Sequence, residues 1–235
     1  MILERGIDIM KLRPPPPKGS TNRLFIFLLI GLLSLFVSTP LMYKSFLMGL
    51  LGDVVFYLML FAAIFQIRNS RMFWVALALL VATLTGDITT YFTESNAALI
   101  ATNFFSCGFI IVIVIKIVVF VIREPTISVD TVMGGLCTYL LLGIFWMYFY
   151  INLELITPGS FNFRFHDTAA GLDRLYMLLF YYSYVTLLTI GFGDIVPVTS
   201  AAQTLTVLEG LIGQMYIVFF ISTLVGMYIS SRKSE

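Results

Sequence analysis

Long apolar runs separated by short polar breaks organise this chain. A bilayer span takes about 20 mostly apolar residues, and six runs qualify, at 24–43, 46–67, 72–91, 97–122, 131–153 and 201–230. A seventh run, 172–188, reaches only about 25 Å as a helix at about 1.5 Å per residue. That length suits a re-entrant helix, which is tolerated at membrane depth where protein or a water-filled cavity surrounds it. The pattern predicts an all-α membrane protein: six transmembrane helices, with a shorter helix dipping between the fifth and sixth. The expected units are a cytoplasmic segment at 1–23, a four-helix membrane domain at 24–122, a second membrane unit at 131–230 and a short cytoplasmic tail at 231–235.

Composition agrees. The chain is 59% hydrophobic and 11% charged with a mean hydropathy of +0.97, against about 45–50% apolar and about 25% charged residues in soluble domains. The first span follows a basic leader with Pro14 to Pro17, which favour an extended polyproline conformation. No small-residue cleavage site stands out, so the span is read as retained, and the leader is read as a flexible tail, with association with anionic lipid as the alternative. With both termini inside, 11 of the 14 Lys and Arg residues fall on or near the cytoplasmic side and 3 outside, as the positive-inside rule requires. Cys107 and Cys137 lie within spans, where cysteine acts as a small hydrophobe. Neither metal-ligand spacing nor a catalytic constellation nor a phosphate-binding loop is visible, so an enzyme and a bound cofactor are not expected. Basic residues are too few to argue for a nucleic-acid partner.

The short helix ends in Thr189-Ile190-Gly191-Phe192-Gly193-Asp194. A pore selective for K+ must replace the ion's water shell with oxygen atoms. The backbone carbonyls of Thr189, Ile190, Gly191 and Phe192, with the Thr189 hydroxyl below them, are candidates for this coordination. Gly191 and Gly193 supply backbone angles that a residue with a Cβ reaches only under strain. The C-terminal end of the preceding helix carries partial negative charge and favours a cation. Asp194 and Pro197 then lead the chain back to water.

From Thr131 onward the chain resembles the pore module of the tetrameric potassium-channel superfamily, in its prokaryotic form of outer helix, pore helix, filter and inner helix. The resemblance rests on the run from Tyr182 to Asp194 and on Leu-Glu-Gly-Leu-Ile-Gly-Gln at 208–214. Potassium channels carry Thr-Val-Gly-Tyr-Gly in the filter; here Ile190 and Phe192 stand in the Val and Tyr places. The resemblance implies a C4 homotetramer, since one chain supplies one pore loop and identical heterologous contacts close a ring. It also implies K+ as the transported ion. Phe192 lacks the hydroxyl that a tyrosine directs toward the pore helix, so filter support is expected from packing and from Tyr181 and Tyr182, whose hydroxyls are placed to reach Asp194 or nearby backbone. Val185 occupies a place where some channels carry a glutamate, so a buried carboxylate pair behind the filter is not expected. Gly213 matches the family's hinge glycine, with close packing as the alternative role.

The remaining ionisable residues separate less cleanly. Glu209, one turn before Gly213, is expected behind the filter, anchoring the pore helix through a donor on it. Asp53, Asp87 and Lys116 fall in the first four spans, where ion pairing, interfacial anchoring or a reduced sensor site all fit; Lys116 can snorkel to the inner interface. Each gating charge contributes only about 2.3 kcal/mol per 100 mV, and the fourth span carries Lys116 alone, with Arg123 at its edge. Strong voltage gating by that helix is therefore not expected. Glu154, Asp167, Asp173 and Asp194 fall on the outer face, where they either raise the local cation concentration or form a solvated loop, and His166 is read as solvated. The tail leaves no room for a cytoplasmic ligand-binding domain, so gating falls to the membrane domain, the filter, lipid or a regulatory partner. The sequence thus points to a potassium-selective channel in a bacterial inner membrane. A weakly selective cation channel and a non-conducting accessory subunit remain as alternatives.

Overall fold

The computed structural model describes residues 24–42, 57, 71–93, 95–123, 128–164 and 171–232. In chain order these form α1 (Leu24–Met42), α2 (Arg71–Thr93), α3 (Asn96–Arg123), α4 (Val129–Ile156), β1 (Phe161–Phe163), α5 (Leu172–Leu187), β2 (Ile195–Pro197) and α6 (Ser200–Arg232). The leader at 1–23, nearly all of the expected span at 46–67 including Asp53, the 124–127 linker, and His166 and Asp167 lie outside the described residues. Among those described, four helices are long and apolar enough to cross a membrane: Met72–Thr90, Asn96–Ile122, Val129–Ile156 and Ser200–Ile229. A shorter apolar stretch, Phe25–Val37, lies within α1.

The helix α4 is the hub, packing against α1, α3, α5 and α6. It starts at Val129, two residues before the sequence pattern suggests, because Ser128 and Thr131 form a capping box. The Thr131 amide donates to Ser128 Oγ at 3.1 Å, satisfying one of the amide donors left open at a helix start. Two glycines set how near its neighbours come. A Cβ at Gly135 would lie 2.0 Å from the Phe220 ring of α6, and one at Gly143 would lie 2.5 Å from the Tyr184 ring of α5. Small residues serve this purpose where the surrounding solvent is lipid and close packing drives association. Cysteine contributes in the same way: Cys137 Sγ, fully buried, donates to the Phe25 carbonyl of α1 at 3.5 Å.

The expected all-helical architecture gains one small ladder. β1 and β2 pair antiparallel, with Phe161 opposite Pro197, Asn162 opposite Val196 and Phe163 opposite Ile195. The turn feeding β1 is organised by Glu154, whose carboxylate accepts from the amides of Gly159 at 2.8 Å and Phe161 at 3.1 Å. The Arg164 amide donates to the Asp194 carbonyl at 3.0 Å, and the Val198 amide to the Ser160 carbonyl at 2.8 Å. The segment leaving the short helix α5 is thereby tied to the end of α4.

Candidate functional site: the loop between α5 and α6

α5 is 16 residues long and buries Leu178, Leu179, Tyr182, Ser183, Tyr184, Val185 and Leu187. Its last turn tightens as the Leu188 amide donates to the Tyr184 carbonyl and the Thr189 amide to the Thr186 carbonyl, both at 2.9 Å. The chain then folds back on the helix end. The amides of Ile190 and Gly191 both donate to the Val185 carbonyl, at 2.8 and 3.3 Å. In a trans peptide the carbonyl points opposite to the N–H of the same unit. The carbonyls of Thr189 and Ile190 therefore face away from α5.

Beyond this point the backbone alternates. Thr189, Gly191 and Gly193 have φ of 58°, 62° and 76°, while Ile190 and Phe192 between them stay at negative φ. Alternation between right- and left-handed conformations gathers successive N–H groups on one side of the chain and the carbonyls on the other. At Gly191 and Gly193 an added Cβ would meet nothing within 4 Å, so backbone angle and not space calls for glycine. Thr189 takes the same conformation with a β-branched side chain. Such a residue costs on the order of 1–3 kcal/mol and persists where its surroundings over-determine it.

Those surroundings are polar contacts from three helices. Tyr139 of α4 donates its hydroxyl to the Leu187 carbonyl at 2.8 Å, and Tyr184 of α5 donates to the Leu140 carbonyl at 2.6 Å. Ser183 lies within hydrogen-bond distance of the Gly143 carbonyl, at 2.8 Å, and of Glu209 Oε1, at 2.5 Å. The other Glu209 oxygen accepts from the Tyr150 hydroxyl of α4. Glu209 is completely buried, and it joins α4, α5 and α6 at one carboxyl group. Val185, as its identity requires, brings no second carboxylate; its backbone carbonyl holds the loop.

Tyr181 is hydrogen-bonded to Asp194. Tyr182 turns elsewhere, pairing with Thr206 Oγ1 of α6 at 2.7 Å, because its ring lies inside a cluster with Tyr150 and Phe161, with centroids 5.2–5.3 Å apart. Gly213 abuts the end of α5: a Cβ there would lie 2.7 Å from Leu187 Cδ1 and 3.5 Å from the Leu187 carbonyl. α6 runs unbroken through this position. Thr189 to Gly193, Tyr181, Asp194, Glu209 and Gly213 thus gather around the C-terminal end of α5. Asp87, exposed on α2, and Lys116, half-buried on α3, sit on the N-terminal helices outside this arrangement. Tyr139, Tyr150, Ser183 and Thr206 were not singled out by the sequence reading. For the two tyrosines, a hydroxyl inside an apolar span, which must find a partner there, is the signal that was available.

Residues 136–230 match the family model described as an ion channel. The match begins within α4 and ends near the end of α6, enclosing α5 and the glycine-rich loop. Two-pore potassium channel 4 of Arabidopsis thaliana is 29% identical over 107 residues, an alignment that covers 46% of this chain and 37% of the relative. No solved structure matches the chain.

Proposed function

We propose that the chain contributes one quarter of a potassium-selective pore, with Thr189, Ile190, Gly191, Phe192 and Gly193 as its filter and α4 and α6 as outer and inner helices. The observation that carries this reading is the double hydrogen bond from the Ile190 and Gly191 amides to the Val185 carbonyl, followed by the left-handed residues at 191 and 193. This backbone turns carbonyl oxygens away from the protein, and such oxygens replace the hydration shell of K+. The ion-channel family match and the resemblance to a plant two-pore potassium channel support the same reading.

Four copies complete the ring. One chain supplies a single loop, and it leaves large apolar side chains around that loop uncovered, with Phe192 68% and Ile190 49% exposed. α6 buries only Ala202, Glu209 and Gly213 among its described side chains. The remaining faces of α6, rich in Val, Leu, Ile and Phe, suit lipid and the other three subunits. The filter opens to the outside of a bacterial inner membrane with both termini inside, on the distribution of Lys and Arg. The pore passes K+ down its electrochemical gradient without a fourth-helix voltage sensor, since α3 carries Lys116 alone within its span.

A weakly selective cation pore is the second reading, favoured by one observation: Phe192 provides no hydroxyl to brace the filter. Purified protein in liposomes, assayed for K+ against Na+ flux with Gly191→Asp as control, separates the two. Potassium-selective flux lost in the variant supports the first reading, equal fluxes of both ions support the second, and no flux with the native chain contradicts both.

A further inference from the structure

One buried polar cluster lies away from the filter and links the N-terminal helices to it. Asn103 of α3 donates through Nδ2 to Asn152 Oδ1 of α4 at 2.9 Å, and its own Oδ1 accepts from the Tyr176 hydroxyl of α5 at 2.8 Å. Both asparagines are almost completely buried, at 2% and 3% exposure. The rest of the α3–α4 contact nearby is apolar or weakly polar: the rings of Phe104 and Phe149 meet at 6.3 Å, and Cys107 Sγ donates to the Phe145 carbonyl at 3.8 Å. Apolar surfaces slide past one another at little cost, whereas a buried amide pair selects one register, as a single asparagine does in a coiled coil.

The placement of Tyr176 makes that register matter. It is the fifth residue of α5, and Leu187 at the far end leads directly into the turn formed by Leu188 to Gly191. Eleven residue steps of helix separate the two, about 16 Å at 1.5 Å per residue. α5 is therefore held at its filter end by Tyr139, Ser183 and Glu209 and near its entry by Asn103. A second donor, Asn152 Nδ2, is buried and has no hydrogen-bond partner among the described residues. Leaving a buried donor unpaired is costly, so a second register in which Asn152 Nδ2 also donates can compete with the one the amide pair selects here, and two discrete arrangements of this kind make a joint.

We propose that Asn103 is a positioning residue for the pore, forming with Asn152 and Tyr176 a joint through which displacement of the N-terminal helices shifts the filter between conducting and non-conducting states. This rests on the reading of the α5–α6 loop as a potassium pore. It gives the N-terminal helices a task that needs no array of gating charges, because α3 acts on the pore helix by contact.

The test is single-channel recording of the full-length protein in bilayers, comparing the native chain with Asn103→Leu, Tyr176→Phe and the double variant. Losing an interhelical hydrogen bond in a membrane changes a two-state equilibrium by about three- to twentyfold. Each single variant is expected to shift the ratio of open to closed time by that factor while unitary conductance and K+/Na+ selectivity stay native. The double variant should shift it no further than the larger single effect, since both substitutions remove the same bond. Tyr176→Phe deletes one oxygen from a half-buried ring and keeps the test usable where Asn103→Leu fails to assemble. Native open fractions in Tyr176→Phe, or additive effects in the double variant, overturn the joint and leave the pore reading intact. Absence of current from the native chain overturns both.

Discussion

α5 and α6 flank the same loop and are built in opposite ways. α5 is short, seven of its 16 residues are buried, and its hydroxyls and terminal carbonyls are taken up by α3, α4, α6 and the amides of the loop that follows it. α6 has 33 residues but meets the rest of the chain along one narrow stripe that runs from Ala202 through Thr206, Glu209, Gly213 and Tyr216 to Phe220, positions three and four apart that share one helix face. A single chain therefore specifies how the short helix and its carbonyls are oriented. It leaves most of the long helix uncovered, where the proposed pore puts lipid and other copies. Stability of the turn after α5 should respond to substitutions within one chain, whereas most of α6 should respond only through the proposed assembly.

The largest effect that sharpens this contrast is expected at Gly193, where φ is 76°. Gly193→Ala places an L side chain in the left-handed region at about 1–2 kcal/mol per residue, repeated in each subunit of a ring. At about 1.4 kcal/mol per factor of ten, potassium flux into liposomes should fall at least tenfold, with assembly unchanged on size-exclusion chromatography. Next is Glu209→Ala, which removes the acceptor of Ser183 and Tyr150. Leaving a buried hydroxyl without its acceptor costs about 1–3 kcal/mol, so thermal unfolding in detergent should show a large loss, smaller in Glu209→Gln. A Glu209→Ala protein as stable as the native one would break the claim that this carboxylate joins the three helices.

Gly213→Val tests the stripe itself. A Cβ there would lie 2.7 Å from Leu187 Cδ1, and overpacking of this kind costs about 1–3 kcal/mol. Gly226→Ala, with nothing within 4 Å of the added Cβ, is its control and should stay within about 0.5 kcal/mol of native, as for substitutions away from packed features. Equal losses in the two variants would erase the distinction between the stripe and the rest of α6. The smallest expected change is Tyr139→Phe, which frees the Leu187 carbonyl at a cost of about 1 kcal/mol, read as a modest drop in unfolding temperature.

Much of this arrangement could be read from local pattern. Spans and the short helix follow from run length, and the observed α5 at Leu172–Leu187 differs from the expected 172–188 by one residue. The loop was recognisable because its glycines are demanded by backbone angle, a local property. What was not legible depends on partners distant in sequence. β1 and β2 are three residues each, too short for a periodic signal, and they form because Glu154 and the post-filter segment meet in space. Tyr182 was read as a candidate partner for Asp194, but its ring is claimed by Tyr150 and Phe161, which swings its hydroxyl to Thr206. Glu209 was expected to find a donor on the short helix, and Ser183 stands there; the additional bond from Tyr150 needed the three-dimensional packing of α4. Left-handed Thr189 had no signal at all, since a β-branched residue is among the least suited to that conformation.

The central claim is selectivity for potassium, and the reversal potential of the native protein in a planar bilayer, with K+ on one side and Na+ on the other, tests it most directly. The account predicts a potential displaced strongly in the direction set by K+ permeation and abolished, together with the current, by Gly191→Asp. A potential near zero with robust current would contradict it.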